Sequence, residues 1–211
     1  MAAAVTNLIS STITTLDAAT PHYNAVKDDR DLREAFHEAG RCLPLVRQVL
    51  QTANARLAER NLAGDPQSAQ SAQSAMNSMK ECNAKAMILE NIFKAVAQDT
   101  STSTFERYRS AARLGGQGWT VEDWMMRMMN DVCALAENDA IRAQMEDQVK
   151  GLCDAIERLS KMEPSVPRSG GTFTLTGPGD QFNAPDGTQN ISTGSGNQFP
   201  GAAFSGSVQF G

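Results

Sequence analysis

The sequence has few of the residues that carry out most protein chemistry. Two His occur in 211 residues, His22 and His37, and they fall in different predicted segments. Glu34 and Glu38 lie beside His37 on a charged helix face, so we expect a solvated imidazole. The spacings typical of zinc peptidases, serine hydrolases and calcium-binding loops are absent, and the glycines of residues 115–118 lack the Lys-Ser/Thr of a phosphate loop. We therefore predict neither an enzyme nor a cofactor or metal site.

Basic charge and long apolar runs are also scarce. The formal net charge is −5, which provides no positive field for phosphates and argues against a nucleic-acid partner. No run of about 18 apolar residues occurs, and the N-terminus has neither the basic residues nor the long apolar core of a signal peptide. We expect a cytoplasmic protein in its inactive state.

The four cysteines do not form a recognisable metal or disulfide pattern. Cys42, Cys82, Cys133 and Cys153 are far apart in the sequence, without a CxxC pair, and each lies among residues with helical spacing. We interpret them as reduced thiols, most of them packed inside the fold.

The composition of the chain changes near Pro164. Before it the chain is rich in Ala, Leu and Met with interleaved charge, whereas after Arg168 the only charged residues are Asp180 and Asp186. Residues 169–211 also hold ten of the sixteen Gly and five of the eight Phe. We therefore predict a helical domain over residues 1–163, a linker over 164–178 and a distinct C-terminal segment over 179–211.

Apolar residues recur with helical spacing through the first region. Residues 32–57 form one continuous stripe, with a kink at Pro44 because a proline cannot donate to the carbonyl of Gly40. Residues 67–98 repeat the spacing, so we expect a second long helix that lies antiparallel on the first. A shorter helix is predicted over residues 104–113.

The last two helices are predicted from caps and stripes. Thr120 and Asp123 resemble a capping box, with Asp in place of the usual Glu or Gln. The methionines within residues 125–129 fit a core stripe better than a soft-metal site or a peptide groove. A final helix over residues 141–159 is predicted to be capped by Asn138. The first region is thus an all-α bundle of four to six helices.

The N-terminal stretch is apolar on one face and carries no charge before Asp17. Its other face is Ser, Thr and Asn, which weaken helix formation, as do β-branched residues. One interpretation is an ordinary first helix of the bundle. The other is a releasable helix that enters a membrane, although fifteen residues cover only about 22 Å of a roughly 30 Å hydrocarbon core, so one copy should not span it. The candidate membrane-active residues are Val5, Leu8, Ile9, Ile13 and Leu16.

The C-terminal segment repeats a short module. TGPGDQF at residues 176–182 and TGSGNQF at residues 193–199 share five of seven letters, and a flexible linker has no need to place Gln-Phe twice in register. In a cross-β stack, Gln and Asn form ladders, identical aromatics pile up, and any charge is repeated in every layer. The residues of this predicted amyloid motif are Gly179, Asp180, Gln181, Phe182, Asn183, Gly196, Asn197, Gln198, Phe199, Phe204, Val208 and Phe210.

The modules predict that the C-terminal segment behaves differently in a monomer and in an assembly of many chains. The apolar content of the segment is too low to offset chain entropy, so we expect it to be disordered in a monomer. Stacked on copies of itself, it can form two rungs of a β-solenoid amyloid.

Two resemblances to known families follow from these residues. GDQFNAPDGTQNISTGSGNQFPGAAFSGSVQFG, with its Gly-Asn-Gln-Phe repeats, closely resembles the sigma motif, a prion-like amyloid signalling motif of filamentous fungi. The helical part, with its apolar N-terminus, RCLPLV at residues 41–46 and the long helix that follows, is similar to the SesA domain of fungal NACHT receptors. That domain is related to the HeLo and HeLo-like group.

The resemblance implies an effector of programmed cell death in fungal heterokaryon incompatibility and innate immunity. A NACHT/STAND (NLR-like) receptor with the same motif would template the C-terminal segment into a homotypic amyloid. The crowded HeLo-like domains would then reach plasma membrane lipids. A nonlethal adaptor recruited through the motif is an alternative, and a stable bundle with an inert tail is a third.

Overall fold

The structure is a computed structural model of the chain. It describes residues 2–62, 69–98, 101–116, 118–138, 141–142 and 145–167. Every residue of the predicted amyloid motif lies outside the described residues. The predictions of a disordered tail in the monomer and of a β-solenoid in the assembly therefore concern residues that the structure does not describe.

The described part is an all-α bundle, as predicted, and contains seven helical segments. Their bounds are α1 Ala2–Val26, α2 Glu34–Arg41, α3 Leu43–Leu62, α4 Ala69–Val96, α5 Thr104–Leu114, α6 Val121–Ala136 and α7 Glu146–Ser160. Only Cys42 separates α2 from α3, so the two form the single bent helix predicted over residues 32–57. Counted in that way, the described helices number six.

The bend between α2 and α3 has the cause that the sequence suggested. Cys42 keeps helical backbone angles, φ −76° and ψ −16°, and its N–H donates to the carbonyls of Glu38 and Ala39 at 3.2 and 3.1 Å. Pro44 has no N–H to donate to Gly40, so the helical hydrogen-bond ladder is interrupted here. The helix is thus interrupted at the position where the kink was predicted.

The neighbours of the long helices differ from the prediction. Helix α1 packs against both α4 and α3, and α4 also packs against α6 and α5. The expectation that the second long helix lies directly on the first is therefore wrong, because α1 lies between them. The physical reason is the width of the apolar stripe on α1, whose buried and half-buried positions contact two neighbours.

Four aromatic side chains join α1, α2, α4 and α5. The ring of Phe36 lies 4.9 Å from that of Tyr108 and 5.5 Å from that of Phe93, and Tyr23 lies 5.6 Å from Phe93. The solvated role predicted for His37 is wrong, because its ring is buried beside Phe36 and its carbonyl accepts a 3.0 Å hydrogen bond from Tyr23 Oη. Glu34 and Glu38, the charged residues near it in sequence, instead form ion pairs with Arg41.

Helix α6 begins and packs as predicted. Thr120 Oγ1 accepts from the Asp123 N–H at 3.4 Å, and Asp123 Oδ2 accepts from the Thr120 N–H at 3.2 Å, which completes the capping box. Met125, Met128 and Met129 are fully buried. The predictions of a capping box and of a methionine core are confirmed.

Helix α7 begins later than predicted. Its first residue is Glu146, with Met145 at the N-cap, and the predicted cap Asn138 instead follows α6. The Asn138 amide donates to the carbonyl of Ser71 on α4 at 3.3 Å. The predicted start at Ile141 is wrong, because α7 begins at Glu146, and the Asn138 side chain links the end of α6 to α4.

The packed helical unit runs to Pro167, beyond the predicted boundary at residue 163. Met162 and Val166 pack against the core, and Ser165 between them is fully buried. None of the described helices has both the length and the apolarity that crossing a membrane requires.

Candidate functional site

Two parts of the described structure bear on the predicted functions. The first is α1, which carries the candidate membrane-active residues. The second is the segment that leads from α7 toward the predicted amyloid motif, residues 162–167, which we call the strap. Each is described by what holds it in place.

Helix α1 is held by a buried seam along its whole length. The seam residues recur at alternating steps of four and three, which is the spacing of one helical face. They are Val5, Ile9, Thr12, Leu16, Ala19, Tyr23 and Val26. The helix thus continues ten residues past the predicted stretch and includes Pro21, because apolar positions after Leu16 extend the same seam.

The five predicted membrane-active residues do not share one environment. Val5, Ile9 and Leu16 are buried in the seam, whereas Leu8 and Ile13 flank it and are half-buried. In this state the helix presents Ser, Thr and Asn side chains to solvent. Its apolar residues are therefore committed to the bundle, as in the first of the two interpretations of this stretch.

A polar side chain interrupts the seam of α1. Thr12 is fully buried, and its hydroxyl lies 2.8 Å from the carbonyl of Leu8 and 3.2 Å from Asn83 Oδ1 on α4. Arg47 on α3 pairs with Asp17 on the other side of α1. The carbonyl of Leu8 satisfies the buried hydroxyl within α1, and Asn83 brings a second polar group from α4 to the same position.

The strap is fastened by a buried carboxylate. Ser165 donates to Glu122 twice, from its backbone N–H to Oε1 at 2.7 Å and from its hydroxyl to Oε2 at 2.6 Å. Tyr108 Oη lies 2.5 Å from Ser165 Oγ and donates to it. On the outer side, Arg33 Nη1 donates to the carbonyl of Pro164 at 3.2 Å. We call Glu122, Tyr108 and Ser165 the polar lock.

The start of α6 makes this buried carboxylate possible. Glu122 is in the first turn of α6, where the helix dipole favours negative charge. The N–H of Val121, which has no partner within its own helix, donates to Tyr108 Oη at 3.1 Å. Burial, and then the charge of Glu122, raise the pKa of Tyr108, so its phenol remains a hydrogen-bond donor.

Sequence reasoning missed the polar lock. Glu122 was not singled out there, Tyr108 lay within a predicted short helix, and Ser165 lay within the predicted linker. No spacing along the chain connects residues 108, 122 and 165. The predicted capping box at Thr120 was the only local signal near it, because it places a helix start beside Glu122.

Comparison with known families divides the chain in two. The SesA model, described as the N-terminal domain on NACHT NTPases and P-loop NTPases, matches residues 9–135. The model of the sigma domain on NACHT-NTPases matches residues 170–211. Neither the curated proteins nor the solved structures provide a significant match. The interval between the two matches contains α7 and the strap.

Proposed function

Because the chain belongs to the SesA family of N-terminal domains on NACHT and P-loop NTPases, we propose that it is a cell-death effector switched on by a NACHT receptor. The sigma domain is likewise described on NACHT-NTPases, so both matches support a signalling effector associated with that class of receptor. The observation that carries the proposal is the presence of these two families in one chain.

The proposed trigger is templated assembly. A fungal receptor that carries the same motif presents an ordered stack, and residues 179–211 of this chain add to it as new layers. Starting a stack costs chain entropy for each segment that must be ordered, so a preformed template removes the slow step. The protein then acts by assembly, and its signal is prion-like, since each added layer templates the next.

Assembly of the tails crowds the helical units. Residues 166–178 separate Ser165 from the start of the amyloid motif at residue 179 and reach at most about 47 Å. A compact unit of 167 residues has a diameter of about 40 Å. A two-rung layer adds only about 10 Å of fibre per chain, so neighbouring helical units conflict sterically along the fibre.

The proposed output follows from relieving that conflict. Opening of the polar lock lengthens each tether, and it removes the strap from α5 and α6. The loosened bundle releases α1, and many copies of this helix, concentrated at one fibre, insert together into the plasma membrane. The protein is thus cytoplasmic before activation and at the plasma membrane afterwards.

The templating step is tested with the full-length protein. Preformed filaments of a peptide of residues 170–211 are added in trace amounts, and sedimentation with thioflavin fluorescence follows conversion. We expect the lag phase to disappear, whereas filaments of an unrelated amyloid leave it unchanged. A full-length chain that stays in solution with both filaments would exclude templated assembly.

A nonlethal adaptor is the second candidate, and the burial of α1 favours it. Deleting residues 2–16 does not separate the two functions, because the seam residues support the bundle. Substitutions on the exposed face of α1 can separate the two functions without disturbing the bundle. Asn7 and Ser11 are exposed and lie one helical turn apart, so Asn7→Lys with Ser11→Lys leaves the seam intact.

The membrane step is tested by dye release from anionic phospholipid vesicles after seeding of the full chain. Each added Lys costs about 2.5–3.5 kcal/mol at the centre of a bilayer, so the double variant should form filaments but not release dye. Gln51→Lys with Ala55→Lys adds the same charge to the exposed face of α3 and should release dye normally. Equal release by both double variants would exclude insertion of α1 and favour the adaptor.

A further inference from the structure

The turn between α5 and α6 exposes two large apolar side chains. Leu114, the last residue of α5, is 86% exposed, and Trp119, which precedes the cap of α6, is 37% exposed. Among the described residues only one other large apolar side chain, Met87 on α4, is exposed to a comparable degree. Single apolar side chains are ordinary on a surface, but two of the three within six residues form a cluster.

The backbone of this turn is closed by its own hydrogen bonds. The Gly118 N–H donates to the carbonyl of Ala112 at 3.0 Å, and the Trp119 N–H donates to the carbonyl of Gly116 at 2.9 Å. Gly118 has φ 81°, in the left-handed region that favours glycine. Because the turn is already ordered, contact of Leu114 and Trp119 with a partner costs little chain entropy.

Two arginines flank the exposed apolar side chains. Arg127 on α6 stacks on the Trp119 ring, with its Cζ 3.8 Å from the ring centroid. Arg113 precedes Leu114 and is exposed. Neither guanidinium forms an ion pair with a residue that the structure describes. We call Arg113, Leu114, Trp119 and Arg127 the turn patch.

The acidic residues of the same region are used inside the fold. Glu122 is buried in the polar lock, and Asp123 accepts from the N–H and the hydroxyl of Thr120. Glu106 pairs with Arg109 within α5. The unpaired charge around the turn is therefore positive, although the chain as a whole has a net charge of −5. An anionic partner suits the turn patch.

An open groove extends the apolar surface beyond Leu114. It lies between α4 and α5, has a volume of about 380 Å³, and includes Ile92, Ala95 and Ala111 in its walls. Leu114 is at its edge and is mostly in solvent, not enclosed by the groove. A projecting apolar side chain suits a soft planar partner better than a peptide that a pocket must surround.

We propose that the turn patch is a docking surface for an anionic phospholipid bilayer. Leu114 and Trp119 enter the boundary between headgroups and acyl chains, where the amphipathic Trp ring is favourable. The guanidinium groups of Arg113 and Arg127 donate to the lipid phosphates.

This surface goes beyond the proposed insertion of α1, because it belongs to other helices and is present in the folded bundle. Each arginine near an anionic membrane raises the partition coefficient about fivefold, so one molecule binds weakly and reversibly. Copies concentrated on one fibre bind together, and their combined contacts hold the assembly at the membrane.

Trp fluorescence tests the docking on the full-length chain without filaments. The vesicles contain equal parts of phosphatidylcholine and phosphatidylserine, and brominated acyl chains serve as short-range quenchers. The sequence has two Trp, and Trp124 is buried, so quenching reports mainly on Trp119. We expect brominated anionic vesicles to lower the emission, pure phosphatidylcholine to do so far less, and Trp119→Phe to abolish the effect.

The contribution of charge is tested by Arg113→Gln with Arg127→Gln, which leaves Trp119 as the reporter. Sedimentation with anionic vesicles should show a partition coefficient lower by roughly 20-fold. Lys27→Gln with Arg30→Gln is the matched control. It removes the same charge from exposed positions beside Asp29, which bonds with Thr104 at the other end of α5, and should change the coefficient by no more than about twofold.

Three results would overturn the proposal. The first is equal partition of the two double variants, and the second is quenching of the parent chain that is as strong on pure phosphatidylcholine. The third is a shift of Trp119 emission by soluble poly-glutamate without binding to vesicles, which would identify an acidic peptide as the partner. Because the readout is Trp119 in the unassembled chain, failure here is separate from failure of templating or of α1 insertion.

Discussion

Ser165 shows how much of the strap depends on one small side chain. It is fully buried, three residues before Arg168, and both of its hydrogen-bond donors, the backbone N–H and the hydroxyl, bond to the carboxylate of Glu122. A buried carboxylate that loses a donor keeps its desolvation cost. Substitution of Ser165 alone should therefore disrupt the polar lock.

Ser165→Ala should lower the free energy of unfolding by about 1.5–3 kcal/mol, because it removes a charge-assisted hydrogen bond and leaves Tyr108 Oη without its 2.5 Å partner. Urea unfolding of the full chain measures the change. The matched control is Ser160→Ala, since Ser160 is exposed and its hydroxyl donates to the carbonyl of Glu157 in the same helix. Equal urea midpoints for the two variants would show that the polar lock does not stabilise the helical unit.

Asp29 should contribute to the dependence of the free energy of unfolding on pH. A hydrogen bond from Thr104 lowers the pKa of Asp29 below its ordinary value of 3.8, and a 2.9 Å bond from the Asp31 N–H contributes to the shift. A lowered pKa in the folded state means that the ionised form stabilises the fold. This stabilisation is fully present above the ordinary value and is lost as the pH falls through the folded-state pKa.

Asp29→Asn should therefore be less stable than the parent chain at pH 7, and the difference should close as the pH falls below 3.8. The amide still accepts hydrogen bonds, so the variant removes the charge and little else. Unfolding is followed by circular dichroism from pH 7 to pH 2, with the exposed Asp28→Asn as control. A difference that stays constant across this range would contradict the assignment.

At the scale of elements, the contact of α1 with α2 depends on a glycine. A Cβ added to Gly40 would lie 2.1 Å from Cε2 of Tyr23, which is far inside van der Waals contact. The Tyr23 ring has little freedom to move, because its hydroxyl donates to the carbonyl of His37 and it packs against Phe93. Gly40 thus allows the end of α1 to approach α2 closely.

Gly40→Ala should cost about 2 kcal/mol, since the overlap with Tyr23 outweighs the gain in helix propensity. Gly151→Ala is the matched control within α7, because its new Cβ would lie 3.8 Å from Leu45 Cδ1, an ordinary contact. That variant should gain about 0.5–1 kcal/mol. Thermal unfolding measures both, and a stabilised Gly40→Ala would show that α1 and α2 separate without cost.

At the scale of the whole molecule, the two matched families predict that folding of the bundle and assembly of the tail respond to different residues. Phe182→Lys with Phe199→Lys should abolish seeded filament formation, because a charge is repeated in every layer of a stack. Helical circular dichroism should be unchanged. Thr172→Lys, in the predicted linker, is the control with the same kind of charge.

A double Phe variant that still converts at the parent rate would contradict the role of the two modules. Loss of helicity in the same variant would mean that the tail supports the bundle. Sedimentation with added filaments and far-ultraviolet circular dichroism distinguish these outcomes in one sample series.

The helices, the bend at Pro44, the capping box at Thr120 and the repeated Gly/Gln/Phe modules were all readable along the chain. Each depends on residues within a few turns of one another, so spacing and side-chain type are enough to predict them. The later start of α7 was missed because local spacing does not show that Asn138 lies at the end of α6, where its amide donates to Ser71 on α4.

Only the tertiary structure decided the contacts between residues far apart in sequence. Three features depend on such contacts. They are the position of α1 between α3 and α4, the burial of His37, and the hydrogen bonds from Ser165 to Glu122. Many pairings of amphipathic helices bury similar apolar area, so periodicity does not choose among them. Shape complementarity and the satisfaction of each buried polar group make that choice, and both exist only once the chain is folded.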